Sequence, residues 1–193
     1  MTLYFLRHGS AGEPQQDARE DERRALDPEG IQQCTLAGLA LSAIGVDADA
    51  IVSSPLKRAV QSAQLIARET GYEGEVLRSE ALRPDATYEQ FVELLSGFPE
   101  EDSILLVGHN SKLAEFLGKL ISAGGRASIH LKKGAIAKVQ QGKKGAVLQW
   151  CITPKLLRAS FEGTGLLAVA NQDSGRRHTA SAGARRAASR GQR

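Results

Sequence analysis

Short apolar runs alternate along the chain with longer stretches in which apolar residues recur every three or four positions. Runs bounded by turn residues are typical of buried strands. Four such runs lie at residues 2–6, 50–54, 76–82 and 103–108. The helical spacing between them predicts amphipathic helices. These helices are expected at residues 28–44, 57–70, 87–96 and 113–121.

Strands that alternate with helices predict an α/β fold with a parallel sheet. Two further strands, at 135–140 and 146–153, flank a Gly-Lys-Lys-Gly segment that is typical of a hairpin. A hairpin adds antiparallel strands at one edge of a sheet. We therefore expect a three-layer sandwich with a mostly parallel central sheet, helices on both faces and a C-terminal hairpin at one edge. One domain is expected over residues 1–160.

Two helix starts have recognisable capping residues. Asp27 precedes Pro28, a pair that suits the N-cap and the first helical position. Thr87 is followed three residues later by Gln90, which is the spacing of a capping box. Each signal predicts the residue at which a helix begins.

Basic charge is concentrated at the C-terminus. Residues 171–193 carry six arginines and one aspartate, whereas the rest of the chain has a net charge of −2. Residues 161–193 are poor in large apolar side chains, so we expect a low-complexity, disordered basic tail. Such a tail could make nonspecific contacts with nucleic acid or with an acidic partner. We expect no specific nucleic-acid site.

The composition also bears on compartment and membrane association. No apolar stretch approaches the roughly 18 residues that a membrane span needs, and no secretory pattern follows Met1. Cys34 and Cys151 have no metal-ligand spacing and are too few for a disulfide framework. We expect a cytoplasmic globular protein with buried thiols and no membrane partner.

Three of the predicted strands end beside residues suited to binding an anion. Arg7 and His8 follow the first strand, Arg58 follows the second, and His109 follows the fourth. The carboxyl ends of parallel strands meet at one edge of a sheet, where ligands bind. Guanidinium groups match phosphoryl oxygens in a bidentate manner. The helix after His109 adds free backbone N–H groups at its N-terminus.

A neutral histidine in such a site can attack phosphorus and form a phosphohistidine. Neighbouring cations favour the neutral imidazole because they lower its pKa. No carboxylate cluster of magnesium character accompanies these residues. The sequence therefore predicts a phosphate site that uses no metal and no other cofactor.

Three motifs, in this order, resemble the defining motifs of the histidine phosphatase (phosphoglycerate mutase-like) superfamily. They are Leu6-Arg7-His8-Gly9, Ser53-Ser54-Pro55-Leu56-Lys57-Arg58-Ala59 and Val107-Gly108-His109. The small size and the segment Arg24-Ala25-Leu26-Asp27-Pro28-Glu29-Gly30 resemble the SixA-type phosphohistidine phosphatases of that superfamily. The resemblance covers roughly residues 2–155.

The resemblance implies a role for each matching residue. His8 would be the nucleophile that becomes phosphorylated, and His109 would be the second histidine, which stabilises the phosphoryl group in transfer. The candidates for phosphate contacts are Arg7, Arg58, Arg24 and Ser111. Ser111 equally suits a cap-region residue without substrate contact.

The proton donor is the least defined part of the resemblance. Many superfamily phosphatases carry a glutamate soon after the third strand, and the acid at that place here is Asp85. Asp85 is either a general acid or a turn residue after Pro84. A phosphoramidate needs less acid assistance than an ester, because its leaving nitrogen is basic. This favours phosphohistidine as the substrate.

Three functions remain open at this point. The leading one is a phosphatase that removes phosphate from phosphohistidine on a protein. The second is a phosphomonoesterase for a small phosphorylated metabolite, such as a phosphosugar or a nucleotide, with Asp85 as its acid. The third is a non-catalytic module that binds phosphate.

Overall fold

A single mixed sheet with helices on both sides makes up the described part of the chain. The structure is a computed structural model and describes residues 1–122 and 127–162. The strands are β1 (Thr2–Arg7), β2 (Ala50–Ser53), β3 (Leu77–Arg78), β4 (Ser103–Gly108), β5 (Ile136–Gly142) and β6 (Gly145–Ile152). The α-helices are α1 (Ala18–Arg23), α2 (Pro28–Ala43), α3 (Lys57–Thr70), α4 (Tyr88–Ser96), α5 (Lys112–Ile121) and α6 (Pro154–Phe161). Of the predicted tail, residues 161–193, the part from 163 onward lies outside the described residues, and Phe161 is the last residue of α6.

The strand order across the sheet is β3-β2-β4-β1-β5-β6. β1, β2, β3 and β4 are parallel, whereas β5 runs antiparallel to β1 and pairs with β6 as a hairpin. This confirms the predicted mixed sheet with the hairpin at one edge.

Alternation along β1 divides the core into two halves. Leu3 and Phe5 belong to a cluster that includes side chains of α4 and α5. Tyr4 and Leu6 belong to a second cluster, with side chains of α2, α3 and α6. All four side chains of β1 are buried. The predicted three layers are therefore present, and β1 lies near the centre of the sheet with its carboxyl end at one edge.

The capping signals of α2 and α4 are confirmed. The side chain of Asp27 accepts a hydrogen bond from the backbone N–H of Gly30, and Pro28 is the first residue of α2. At α4, Thr87 and Gln90 form both hydrogen bonds of the capping box. Local side-chain chemistry therefore sets where these helices begin.

One predicted strand boundary is wrong, and one helix was not predicted. The third strand is Leu77–Arg78 rather than 76–82, because the Ser79 side chain accepts from the N–H of Ala81 and starts a short 3₁₀ helix, Glu80–Leu82. Helix α6 is also absent from the prediction. None of the helices in residues 1–122 and 127–162 is long and apolar enough to cross a membrane.

Candidate phosphoryl-transfer site

The carboxyl ends of β1, β2 and β4 meet at one edge of the sheet. Arg7 pairs with Gly108 across β1 and β4, and Ser53 pairs with Val107 across β2 and β4. The N–H of His8 donates to the carbonyl of Gly108 (3.1 Å), which continues the β1–β4 ladder past the last residue of β1. The three sequence motifs are thereby brought to one place, as the sequence predicts.

The segment after β1 packs tightly against the first turns of α2. A Cβ atom at Gly9 would lie 2.6 Å from the carbonyl oxygen of Gly30 and 2.9 Å from Sγ of Cys34, so a side chain does not fit there. Asp27 ties the segment down, since its Oδ2 accepts from the Ser10 hydroxyl (2.7 Å). The backbone at His8 is therefore held by β4 before it and by the contacts of Gly9 and Ser10 with the start of α2 after it.

His8 is held in one tautomer by its own loop. Its Nδ1 lies 2.7 Å from the carbonyl oxygen of Gly9. A carbonyl oxygen can only accept, so Nδ1 carries the proton and Nε2 has the free lone pair. Burial lowers the pKa of His8 to about 3, with further lowering by Arg58, Arg7 and Arg24, while the hydrogen bond to Gly9 opposes the shift. At neutral pH the imidazole is therefore uncharged.

His109 lies against His8, with the ring centroids 4.8 Å apart. Its Nε2 is 2.9 Å from the hydroxyl of Ser54, and its buried Nδ1 has no hydrogen-bond partner among the described residues. Burial lowers the pKa of His109 to about 2, with further lowering by the neighbouring His8 ring and by Arg58 and Arg83. The site thus holds two neutral imidazoles, and Nδ1 of His109 is a buried polar atom without a described hydrogen-bond partner.

Arg7 and Arg58 bring two guanidinium groups to the same region. Arg7 is half-buried and its Nη1 donates to the carbonyl of Leu131 (2.9 Å). Arg58 is buried and its Nη1 donates to the backbone carbonyl of Asp21 (2.7 Å) and lies 3.2 Å from the Asp21 carboxylate. Among the described residues, the buried Nε of each arginine has no hydrogen-bond partner. Each guanidinium therefore has an N–H donor that no described residue engages.

Burial lowers the pKa of both arginines, and for Arg58 the adjacent Asp21 opposes the shift. Guanidinium groups nevertheless remain charged in proteins. The two positive charges also favour the neutral form of His8.

Arg24 lies near the site but its donors are used by the loop around it. Nε donates to Oδ1 of Asp21 (2.9 Å), and Nη1 donates to the carbonyls of Ala11 (2.9 Å) and Gly12 (3.0 Å). Its charge still acts on the His8 imidazole. The structure thus places Arg24 as a support of the segment that precedes α2, and its contact with phosphate stays a prediction.

Ser111 and Asp85 are the two remaining candidates from the sequence analysis. Ser111 is the N-cap of α5 and makes no side-chain cap hydrogen bond, while its carbonyl accepts from the N–H of Glu115 (2.9 Å). The Asp85 side chain is 80% exposed and its Oδ1 lies 3.4 Å from Nε of Arg83. The structure does not bury Asp85 beside the histidines.

Three residues without an assigned role in the sequence belong to this region. Asp21 contacts both Arg24 and Arg58, and Ser54 contacts His109. Arg83 forms an ion pair with Glu22 of α1 (2.5 Å), and its positive charge contributes to the lowered pKa of His109. Ser54 lies within a recognised motif, but Asp21 lies in a charged stretch without apolar period. Its pairing with Arg58 depends on the tertiary fold.

Within the two described ranges, no group of three or more His, Cys, Asp or Glu side chains is placed to hold a metal ion. Both cysteines are free thiols, and burial raises the pKa of Cys34 to about 11.

The family model that matches this chain covers the first two of the three motifs. Residues 3–84 match the model of the histidine phosphatase superfamily (branch 1). An uncharacterized protein of Picosynechococcus sp. is 31% identical over 144 residues, which cover 74% of this chain and 86% of that protein.

Solved structures with the same fold include several phosphatases. The protein histidine phosphatase SixA, solved with tungstate, has a TM-score of 0.72 at 20% identity, covering 81% of this chain and 99% of that one. The α-ribazole phosphatase of Shigella flexneri has a TM-score of 0.60 at 18% identity, covering 80% and 97%. A phosphoserine phosphatase of Entamoeba histolytica has a TM-score of 0.59 at 19% identity, covering 80% and 98%. At these identities the likeness is one of fold.

Proposed function

This chain belongs to the histidine phosphatase superfamily, and on that premise we propose that it removes phosphate from phosphohistidine on a protein, carrying the phosphoryl group on His8. The observation that carries the proposal is the state of His8. The imidazole is neutral, its Nδ1 proton is fixed by the Gly9 carbonyl, and its Nε2 lone pair is free. That combination makes Nε2 the nucleophile.

In the first step, a bond forms between phosphorus and Nε2 of His8 while the P–N bond of the substrate breaks. The substrate imidazole, protonated beforehand on its other nitrogen, leaves as neutral imidazole. In the second step, the oxygen of a water molecule attacks phosphorus and the bond to Nε2 breaks. Inorganic phosphate leaves, the proton of the water passes to solvent or phosphate, and His8 returns to its starting state.

Arg7, Arg58 and His109 stabilise the phosphoryl oxygens during both steps. Phosphoryl transfer depends mainly on positioning and on stabilising the charge of the equatorial oxygens. The Nε groups of Arg7 and Arg58 are donors without a hydrogen-bond partner among the described residues. A Ser54 hydroxyl that donates to Nε2 of His109 leaves the proton of that imidazole on Nδ1, as a further donor. Because these groups supply the stabilisation, we expect turnover to persist in the presence of a chelator.

The surroundings of Asp85 favour phosphohistidine over an ester as the substrate. An ester needs a general acid for its leaving oxygen, and carboxyl groups that serve at neutral pH usually lie in apolar pockets. Asp85 is exposed and beside Arg83 instead. A leaving imidazole has a smaller need for such an acid.

Phosphate release from a protein phosphorylated on histidine tests this function. We expect the wild-type protein to release phosphate from it, with a higher kcat/KM than for a panel of phosphosugars, nucleotides and phosphoserine. His8→Ala should abolish release, and His130→Ala, which removes an exposed histidine, is the matched control. Undiminished release by His8→Ala would refute the mechanism.

A small phosphomonoester is the second candidate substrate. The fold is shared with enzymes named for α-ribazole phosphate and for phosphoserine, which favours this alternative. A preference for one ester in the same panel, lost in Asp85→Asn, would establish it in place of phosphohistidine. Binding of phosphate without turnover of any member of the panel would instead indicate a non-catalytic module.

A further inference from the structure

A cleft of about 600 Å³ lies beside Arg7, between the turn that precedes β5 and helix α6. Arg7 is a proposed phosphate ligand and also lines the cleft, so the cleft adjoins the phosphoryl site. Lys132 and Lys133 line it from the turn, and Lys155 and Arg158 line it from α6. None of these four residues has a role in the chemistry proposed above.

Positive charge exceeds negative charge on the described walls of the cleft. Two carboxylates, Glu29 and Glu162, line it together with the four basic side chains and the arginine of β1. Glu29 is partly engaged, since it accepts from Nε2 of Gln33 (3.0 Å). Arg158 donates from Nη2 to Gln32 (3.0 Å), while its buried Nε has no hydrogen-bond partner among the described residues. The cleft therefore suits an anionic ligand.

The turn at residues 131–134 is fixed to the phosphoryl site by hydrogen bonds. The carbonyl of Leu131 accepts from Nη1 of Arg7 (2.9 Å). The N–H of Gly134 donates to the carbonyls of Arg7 (3.0 Å) and His8 (3.1 Å). The backbone that carries these lysines is therefore held at a fixed position relative to His8. A ligand bound in the cleft would be positioned relative to the nucleophile.

The basic side chains are spread along the cleft rather than gathered at one point. Lys155 and Arg158 are three residues apart on α6, which places them on the same side of the helix and about 4.5 Å apart along its axis. Lys132 and Lys133 come from a separate segment. Lys132 and Lys155 are exposed. This arrangement fits several carboxylates along a chain better than one small anion held by buried donors.

We propose that this cleft, defined by Lys132, Lys133, Lys155 and Arg158, binds acidic side chains that flank the phosphohistidine of a protein substrate. The proposal rests on the proposed function and adds a rule for choosing among phosphohistidine proteins. The described part of the chain ends at Glu162, on the rim of the cleft. Residues 171–193 carry a net positive charge, so the C-terminal sequence is a poor ligand for a basic cleft. An external acidic segment has the complementary charge.

A pair of synthetic peptides tests the proposal with the full-length protein. Both carry one phosphohistidine, flanked by glutamates in one peptide and by glutamines in the other. We expect wild-type kcat/KM to be higher for the acidic peptide by about tenfold, an effect of several weak ion pairs. The difference should shrink in high salt, which screens exposed charges.

The variant Lys132→Glu/Lys133→Glu should lower kcat/KM for the acidic peptide by about tenfold or more and change that for the neutral peptide by less than about twofold. Lys155→Glu should act in the same direction from the opposite wall. Lys143→Glu/Lys144→Glu is the matched control. It makes the same charge change in the β5–β6 turn, which lies beside the amino end of β1, at the opposite end of that strand from His8.

Equal turnover of the two peptides by the wild-type protein would overturn the docking proposal and leave the phosphatase function intact. An equal loss for both peptides in the Lys132→Glu/Lys133→Glu variant would overturn it as well, because the lysines would then act on the phosphoryl group itself. Failure of the wild-type protein to hydrolyse either peptide would refute the proposed phosphohistidine activity, and the docking proposal with it.

Discussion

The imidazole rings of His8 and His109 lie 4.8 Å apart, inclined by 55°, although about 100 residues separate them in the sequence. Both residues are buried, with 7% of the surface of His8 and 2% of that of His109 exposed. Burial is the largest cause of the lowered pKa at each, and the arginines add to it. The fold therefore buries two uncharged imidazoles beside positively charged arginines.

The two histidines should make the native protein sensitive to mild acid. Histidines of the unfolded chain titrate near pH 6.5, whereas the pKa of His8 is about 3 and that of His109 about 2. Below pH 6.5 the unfolded state binds more protons than the native state. The contribution of the two histidines to the free energy of unfolding is therefore fully present above that pH and is lost as the pH falls. Each histidine contributes up to about 1.4 kcal/mol per pH unit in this window.

Denaturant titrations at pH 7.5, 6.5 and 5.5 measure this loss. The variant His8→Asn/His109→Asn should show a flatter dependence over the same range. Imidazole NMR resonances of the wild-type protein should show neither ring titrating between pH 8 and 5. A midpoint near 6.5 for either ring would contradict the assignment of neutral imidazoles.

Arg58 should not be replaceable by lysine. Its guanidinium contacts Asp21 through Nη1, and its Nε has no hydrogen-bond partner in the described part of the chain. A single ammonium group cannot reproduce donors in both directions. We predict that Arg58→Lys lowers kcat/KM by about 100-fold or more, the range seen when one preorganised donor is lost. Lys57→Ala, which changes the exposed neighbour, should stay within about twofold. Comparable effects of the two substitutions would contradict a phosphate-binding role for Arg58.

Asp85 should have little influence on phosphohistidine turnover. Its exposed carboxylate contacts Arg83, and Glu80 makes a similar contact at 3.4 Å. We expect Asp85→Asn and the matched control Glu80→Gln to change kcat/KM for a phosphohistidine protein by less than about threefold, as for other exposed positions. A loss of about 100-fold confined to Asp85→Asn would identify it as the general acid.

Removal of residues 171–193 should leave turnover of a small substrate unchanged. The proposed chemistry uses residues 7–109, and the basic C-terminal sequence supplies none of its groups. Steady-state rates with free phosphohistidine, measured for the full-length and shortened proteins, check this. A large loss on truncation would show that the C-terminal sequence takes part in the site.

The sequence predicted those parts of the fold that depend on local patterns. Asp27 and Thr87 cap their helices through hydrogen bonds to residues three positions away, so the signal and the structure lie in the same few residues. The end of β4 is equally clear, because a buried run meets Gly108. Since parallel strands share one edge, the convergence of Arg7, Arg58 and His109 follows from these local patterns.

Other features depend on contacts that no local pattern records. β3 has two exposed residues at the edge of the sheet, and the Ser79 turn ends it early. Helix α1 buries no residue, so it has no apolar stripe, yet it supplies Asp21 to Arg58. Likewise the contact of Ser54 with His109 joins residues 55 positions apart.

Trapping of the phosphorylated enzyme tests the proposed role of His8 most directly. The protein is mixed with a substrate phosphorylated on histidine, quenched in alkali to preserve phosphoramidates, and digested with trypsin. Cleavage after Arg7 and Arg19 yields the peptide 8–19, whose single histidine is His8. We predict one phosphate on His8 in this peptide and none in the His8→Ala protein. Turnover without phosphate on His8, or phosphate on another residue during turnover, would contradict the mechanism.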